Sequence, residues 1–253
     1  MTAPLITFEG KTVVVTGGAK GIGRAIVKRF LECGAKVVIA DYDESGAETA
    51  RQLADTGDEV YFIRCDVSKR SEVESLVAES IRQFGGSIDV LVNNAGIFPR
   101  ADLLDTDEAF WDNVLGINLK GAYMLCQAVV PGMIERGSGV IINIGSNHAT
   151  AGEPATMAYA VSKGGIVTLT RNLAKAFVKQ GIRVNCVQPG WVASEGEVAR
   201  WKANGMDEEQ MAALAARLQT GEDIADAVLF MASGMSKQIN GQVLIVDGGI
   251  TLK

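Results

Sequence analysis

The chain has 253 residues, 47% of them hydrophobic, and a formal net charge of −6. That length suits one large α/β domain with an ample core, and the acidity disfavours a nucleic-acid partner, whose phosphates require a basic face. Four dispersed cysteines (Cys33, Cys65, Cys126 and Cys186), with no Cys-x-x-Cys pair, and a single histidine, His148, argue against a disulfide framework and against a metal site.

The N-terminal stretch has neither a cationic region nor a long apolar run, so no leader is expected. No run of about 18 apolar residues occurs, so no membrane partner is expected. The expected location is the reducing cytoplasm.

Taken in chain order, residues 11–16 read as a first strand. A glycine-rich turn leads into a helix over 21–33, whose Ile22, Ala25, Ile26, Arg29 and Phe30 fall at helical spacing. Strands follow at 36–41 and 59–65. Ser71-Glu72-Val73-Glu74 has the spacing of a capping box and predicts a helix start there. A strand at 88–92 precedes a long helix at 110–136, and a strand at 140–144 precedes another long helix at 155–178. The next strand covers 183–188. After Pro189-Gly190 comes a polar, charged stretch at 190–220, which contains Trp191 and Trp201. It is too long for a plain connection and reads as a helical excursion or a lid over a site. A short helix at 223–232 and a strand at 242–246 complete the pattern.

These strands are nearly continuous in apolar character, as strands buried on both faces of a parallel sheet are. The expected fold is α/β: one doubly wound, seven-stranded parallel sheet of Rossmann type, with helices on both faces and right-handed crossovers. No linker, repeat or low-complexity tract divides it, so residues 1–253 form a single expected domain. Within it Cys33 reads as a helix-end residue, and Cys65 and Cys186 as buried, reduced strand residues.

The turn Thr16-Gly17-Gly18-Ala19-Lys20-Gly21-Ile22-Gly23 stretches the G-x-G-x-x-G fingerprint, with glycines at 17, 21 and 23. The physics is the same: glycines let the backbone approach a pyrophosphate, and the helix N-terminus offers free N–H groups and positive potential. Asp41 ends the second strand, where a carboxylate accepts both hydroxyls of an adenosine ribose and repels a 2′-phosphate. That favours NAD. Lys20 cuts the other way, since a cation in the glycine turn pairs with a 2′-phosphate, so NADP is the lesser expectation.

Tyr159 and Lys163 stand four residues apart, thirteen residues after Ser146. Residues four apart share one helix face. A cation beside a phenol favours the phenolate, and a tyrosine tuned toward the working pH exchanges a proton with an alcohol or ketone. Ser146 would hold the reacting oxygen by a hydrogen bond. The same Tyr-Lys spacing also occurs on surface helices without function, and Ser146 also reads as a helix cap.

These pieces together resemble the short-chain dehydrogenase/reductase family over nearly the whole chain. The marks are Thr16-Gly-x-x-x-Gly-x-Gly23, Asn93-Asn94-Ala95-Gly96, Asn118, Ser146, Tyr159-x-x-x-Lys163 and Pro189-Gly190, with Val246-Asp247-Gly248-Gly249 near the end. The resemblance implies roles. Asp66 and Val67 would flank the adenine. Asn93, Ala95 and Gly96 would line the cofactor, and Asn118 would hold a water linking Lys163 to solvent. Tyr159 would be the acid/base, while Lys163 would bind the nicotinamide ribose and depress the Tyr159 pKa. Val192 and Ser194, beyond Pro189 and Gly190, would meet the carboxamide; the family usually has Thr where Ser194 stands. A homotetramer built on long helices and the last strand is also implied.

The expected activity is reversible hydride transfer between NAD and an alcohol or carbonyl carbon. Candidate substrate residues are Phe98, Arg100, Asn147, His148, Glu153, Trp191, Glu195 and Trp201, a polar and aromatic set that suits a sugar or polyol better than a steroid. Two other functions stay open: an NADPH-dependent carbonyl or 3-oxoacyl-thioester reductase, supported by Lys20, and a non-enzymatic nucleotide-binding regulator.

Overall fold

The computed structural model describes residues 6–54 and 59–252. Residues 1–5, part of the stretch examined for a leader, lie outside the described residues. Strands β1 (Thr12–Thr16), β2 (Lys36–Asp41), β3 (Val60–Arg64), β4 (Val90–Asn93), β5 (Gly139–Ile144), β6 (Ile182–Pro189) and β7 (Val243–Val246) form one sheet in the order β3-β2-β1-β4-β5-β6-β7. Every pairing is parallel. This is the expected doubly wound sheet.

The continuous apolar runs have a direct explanation in the two cores. Successive strand side chains point to opposite faces. Val13 and Val15 of β1 enter one core with Val37 and Ile39 of β2, while Val14 and Val38 enter the other. Helices α1 (Gly21–Glu32) and α9 (Gly221–Ala232) pack together over the first core. Helices α3 (Arg70–Phe84) and α5 (Gly121–Arg136) pack together over the second.

Three local expectations are corrected. Helix α2 (Ser45–Ala54) was not among the expected elements; its buried face is the small residues Gly46, Thr49 and Ala50, with Leu53 packed on the core beside them. Gly46 lies so close to Phe62 that an added Cβ would stand 2.3 Å from the ring. The capping box at Ser71 does not form: α3 is capped two residues earlier, at Lys69, so Ser71 lies within its first turn. Glu72 instead accepts from the Asp66 N–H at 2.8 Å and pairs with Arg64, bracing the loop after β3. Cys65 sits just past β3, not within it.

The long helix expected at 110–136 divides into α4 (Glu108–Leu115), a π-helical segment Gly116–Lys120 and α5. By length and composition alone, Glu108–Arg136 is apolar enough to cross a membrane, but half of its apolar window is buried in the fold. Helices α3 and α6 (Met157–Phe177) pack against it, as befits a core helix. The stretch at 190–220 forms two helices, α7 (Glu195–Ala203) and α8 (Glu208–Ala215). Its two ends are tied together by Ala193 N–H to Gln219 O (2.8 Å) and Gln219 N–H to Trp191 O (3.2 Å).

Candidate active site

The sheet changes winding direction between β1 and β4, and ligands bind outside the carboxyl ends of strands at such a point. A cleft of about 1170 Å³ opens there. One wall is the turn after β1. Gly17 has φ 63° and abuts the loop after β4, where an added Cβ would stand 2.9 Å from Ala95 Cα. At Gly23 a Cβ would stand 1.9 Å from Gly17 O, so only glycine permits this closeness. No side chain caps α1, which leaves its first N–H groups, at Gly21, Ile22 and Gly23, open to an anion in the cleft they line. These residues fit the diphosphate of a dinucleotide.

Thr16 and Asn94 lock the two loops together. Thr16 Oγ1 accepts from the N–H groups of Asn94 (3.1 Å) and Ala95 (3.0 Å) and donates to Val92 O. Asn94 Nδ2 donates to Thr16 O (2.9 Å) and Gly17 O (3.0 Å). Asn93, expected to line the cofactor, is not among the residues lining the cleft: it is the last residue of β4, and its amide is buried, donating to Asn143 Oδ1 (2.8 Å) and Cys126 Sγ (3.3 Å). Asn94, Ala95 and Gly96 form the lining instead.

Asp41 faces the cleft at the end of β2 and accepts from Ala19 N–H and Asp43 N–H, both at 3.0 Å. Lys20 is not free beside it. Its Nζ donates to Asp43 at 2.6 Å, which raises the lysine pKa and holds the Asp43 carboxyl down at about 2. Nearby Arg64 is taken by Glu44 and Glu72 and lies over the Tyr42 ring. Asp66, Val67, Pro189, Gly190, Val192 and Ser194 all line the same cleft. Asp66 accepts from both the N–H and the hydroxyl of Ser68, while Ser194 caps α7.

Ser146 follows β5, and Tyr159 and Lys163 lie one turn apart at the start of α6, all three on the cleft. Lys163 is 5% exposed, its Nζ donates to Ile144 O at 2.8 Å, and burial lowers its pKa to about 8. The Nζ stands 5.6 Å from the Tyr159 ring centroid. Burial pushes the Tyr159 phenol up, the Ser146 hydroxyl pulls it down, and the Glu197 charge pushes it up again. The expected depression by Lys163 is therefore corrected for the protein alone: desolvation dominates both groups.

Asn118 sits in the π-helical segment and is buried. Its Oδ1 accepts from Ile97 N–H at 2.8 Å, and its Nδ2 donates to Ile97 O and Ser162 Oγ. Both amide hydrogens thus fasten the loop after β4 against α6.

Of the expected substrate residues, Phe98, Arg100, Asn147, His148, Glu153 and Trp191 line the cleft beside Tyr159. Phe98 lies 4.5 Å from Tyr159 between centroids, and Arg100 lies over Phe98. Two are corrected. Glu195 turns outward to Arg24 at 3.7 Å. Trp201 is 2% exposed and packs edge-on against Trp191, anchoring α7. Besides Asn94, the missed positions at this end include Glu197 and Arg200, which line the cleft. Glu197 accepts from Trp191 Nε1 (3.1 Å) and from Arg200 Nη2 (2.6 Å), and its pKa is lowered: burial opposes this, but hydrogen bonds from Arg200 and Trp191 prevail. The helical phase of α7, counted from the Ser194 cap, was the signal that separates Glu197 from Glu195.

Comparison with known proteins agrees with this geometry. A sequence family described as enoyl-(acyl carrier protein) reductase matches residues 17–251. An uncharacterized oxidoreductase of Thermotoga maritima is 39% identical over 97% of this chain and 99% of its own. A 3-oxoacyl-[acyl-carrier-protein] reductase of Chlamydia pneumoniae is 40% identical over 97% of this chain and 99% of its own. A solved structure described as a short-chain dehydrogenase/reductase from Burkholderia xenovorans superposes with a TM-score of 0.89 at 34% identity, covering 97% of this chain and 98% of that one.

Proposed function

The chain belongs to the short-chain dehydrogenase/reductase family and is an oxidoreductase, and from that premise we propose that it moves a hydride between NAD and a secondary alcohol, hemiacetal or carbonyl carbon of a sugar or polyol. One observation carries this: Ser146, Tyr159 and a buried Lys163 meet on one cleft with an uncapped helix N-terminus behind a glycine turn. A nicotinamide dinucleotide, when bound, supplies the hydride acceptor or donor. Gly17, Gly21, Ile22 and Gly23 would hold its diphosphate, and Asp41 its ribose.

The protein's part is position and proton transfer. Ser146 Oγ holds the substrate oxygen by a hydrogen bond. The Tyr159 phenol starts as a neutral acid, ready to protonate a carbonyl oxygen. In the oxidation direction it must first lose that proton, which Ser146 favours and burial with Glu197 opposes. When protonated, the desolvated Lys163 ammonium beside the ring favours the phenolate.

Asp41 at the ribose position supports NAD. Bringing a 2′-phosphate against it costs roughly 1–4 kcal/mol at about 4 Å. The NADPH reductase alternative leaned on Lys20, and Asp43 has taken that cation. The regulator alternative expects a broken Ser-Tyr-Lys set, and this one is intact. Arg100, Glu153, Glu197, Arg200 and Asn147 make the substrate end polar, which supports a hydroxylated molecule. Exposed apolar side chains on α5 and α6 (Tyr123, Ile134 and Val161) and Ile245 on the edge strand β7 support association into a homotetramer.

The test is a panel of sugars, polyols and apolar alcohols assayed with NAD and with NADP, followed by NADH or NADPH absorbance. NAD is expected to be favoured by roughly tenfold or more in kcat/KM. Tyr159→Phe is expected to lose nearly all turnover and keep NADH affinity. Activity confined to bulky apolar alcohols, or a preference for NADP, refutes the reading.

A further inference from the structure

We infer that His148 is a specificity-determining residue whose bare Nε2 accepts a hydrogen bond from a second hydroxyl, on the carbon next to the one that reacts. This rests on the dehydrogenase reading above and names which substrates that site selects: vicinal diols and the corresponding hydroxy-carbonyls.

The case begins with Thr156, which is buried just ahead of α6. Its Oγ1 donates to Glu153 O at 3.2 Å and also lies 2.9 Å from His148 Nδ1. A hydroxyl has a single hydrogen to give. The Glu153 carbonyl also accepts from the Thr156 N–H at 3.0 Å; we assign the hydroxyl hydrogen to that carbonyl as well, which makes the contact to His148 run from Nδ1–H to the Thr156 oxygen. A neutral imidazole protonated at Nδ1 carries a lone pair and no hydrogen at Nε2. Burial and the nearby Arg100 favour that neutral form over the opposing pull of Glu153.

Nε2 makes no hydrogen bond with any described residue and is not a buried orphan, and His148 lines the cleft; we take Nε2 to face it. The ring is fixed edge-on to Phe98 (centroids 5.5 Å apart) and to Tyr159 (5.8 Å). Its backbone N–H donates to Ser146 Oγ at 3.2 Å, tying the histidine to the residue that holds the reacting oxygen. An acceptor there has no use for a carbonyl oxygen, since lone pair would meet lone pair. It needs a donor on the substrate, and the reacting hydroxyl is already engaged by Ser146 and Tyr159. A neighbouring hydroxyl fills the requirement.

The test compares trans- and cis-1,2-cyclohexanediol with 2-fluorocyclohexanol, whose fluorine withdraws electrons at the same position but cannot donate. With NAD as oxidant, wild type is expected to favour at least one diol over the fluoro-alcohol by about tenfold or more in kcat/KM, since a site built to bond a hydroxyl rejects an analogue without it. His148→Phe is expected to collapse that ratio toward one. His148→Gln, which keeps an acceptor oxygen, is expected to retain part of it. Thr156→Val, which frees the tautomer, is expected to reduce it. NADH binding and thermal unfolding confirm that each variant is folded. A wild-type enzyme that oxidises both alcohols equally, or a ratio that His148→Phe leaves unmoved, overturns the role of His148 and leaves the dehydrogenase reading standing. No turnover of any alcohol or sugar, with NADH still bound, overturns both.

Discussion

Replacing Lys163 by Met should make the cofactor-free protein more stable while destroying its activity. The ammonium is buried, and burial lowers its pKa from 10.5 to about 8. That depression is equivalent to about 3 kcal/mol of destabilisation when the group is charged. The sign follows from linkage: the unfolded chain binds this proton more tightly, so the full penalty applies below about pH 8 and fades as pH rises toward 10.5. Methionine fills nearly the same unbranched volume without the charge. Against the gain stands the loss of the charge-assisted hydrogen bond to Ile144 O, which costs about 1.5–3 kcal/mol. The net expectation at pH 7 is a stabilisation of roughly 0–1.5 kcal/mol, or up to about 3 °C in Tm for a chain of this size. Thermal unfolding of both proteins at pH 7 and at pH 10 reads it directly. The advantage of Lys163→Met should shrink at the higher pH, and turnover should be lost at both. A variant destabilised at pH 7, or an advantage that does not shrink with pH, refutes the view that this lysine is held at the expense of stability.

Asn94→Ala removes the two side-chain hydrogen bonds from Asn94 to the carbonyls of Thr16 and Gly17 and keeps those that the Thr16 hydroxyl makes with the backbone of the loop after β4. It should destabilise the protein by roughly 1–3 kcal/mol and weaken NADH binding, read by denaturant unfolding and by fluorescence titration; unchanged stability would remove its bracing role. Asp43→Asn frees Lys20, so kcat/KM with NADP relative to NAD should rise several-fold at low salt and less at high salt. A ratio indifferent to the substitution would mean that Lys20 does not reach the ribose end. Glu197→Gln removes the anion that raises the Tyr159 phenol and unpairs Arg200, and both changes favour the phenolate. The acidic limb of the alcohol-oxidation pH profile should move to lower pH; movement to higher pH would contradict the electrostatics.

The sheet was legible from the residues alone, because strands buried on both faces must be apolar at nearly every position, and that signature needs no knowledge of neighbours. It also placed Tyr159 and Lys163 on one face and the glycine turn at a helix start, since both are matters of spacing along the chain. Helix α2 escaped because its buried face is made of the small residues Gly46, Thr49 and Ala50, with only Leu53 as a larger apolar side chain packed on the core. Which of two neighbouring candidates faces the cleft was settled by packing. Asn93 turns into the core and Asn94 out to the loop because β4 ends between them, and Glu197 enters where Glu195 leaves because of the phase of α7. Charge followed the same rule. That Lys20 is spent on Asp43, and that Lys163 and Tyr159 are governed first by desolvation, depends on distances between segments far apart in the chain. Spacing sets which side chains are available, and packing sets what each of them meets.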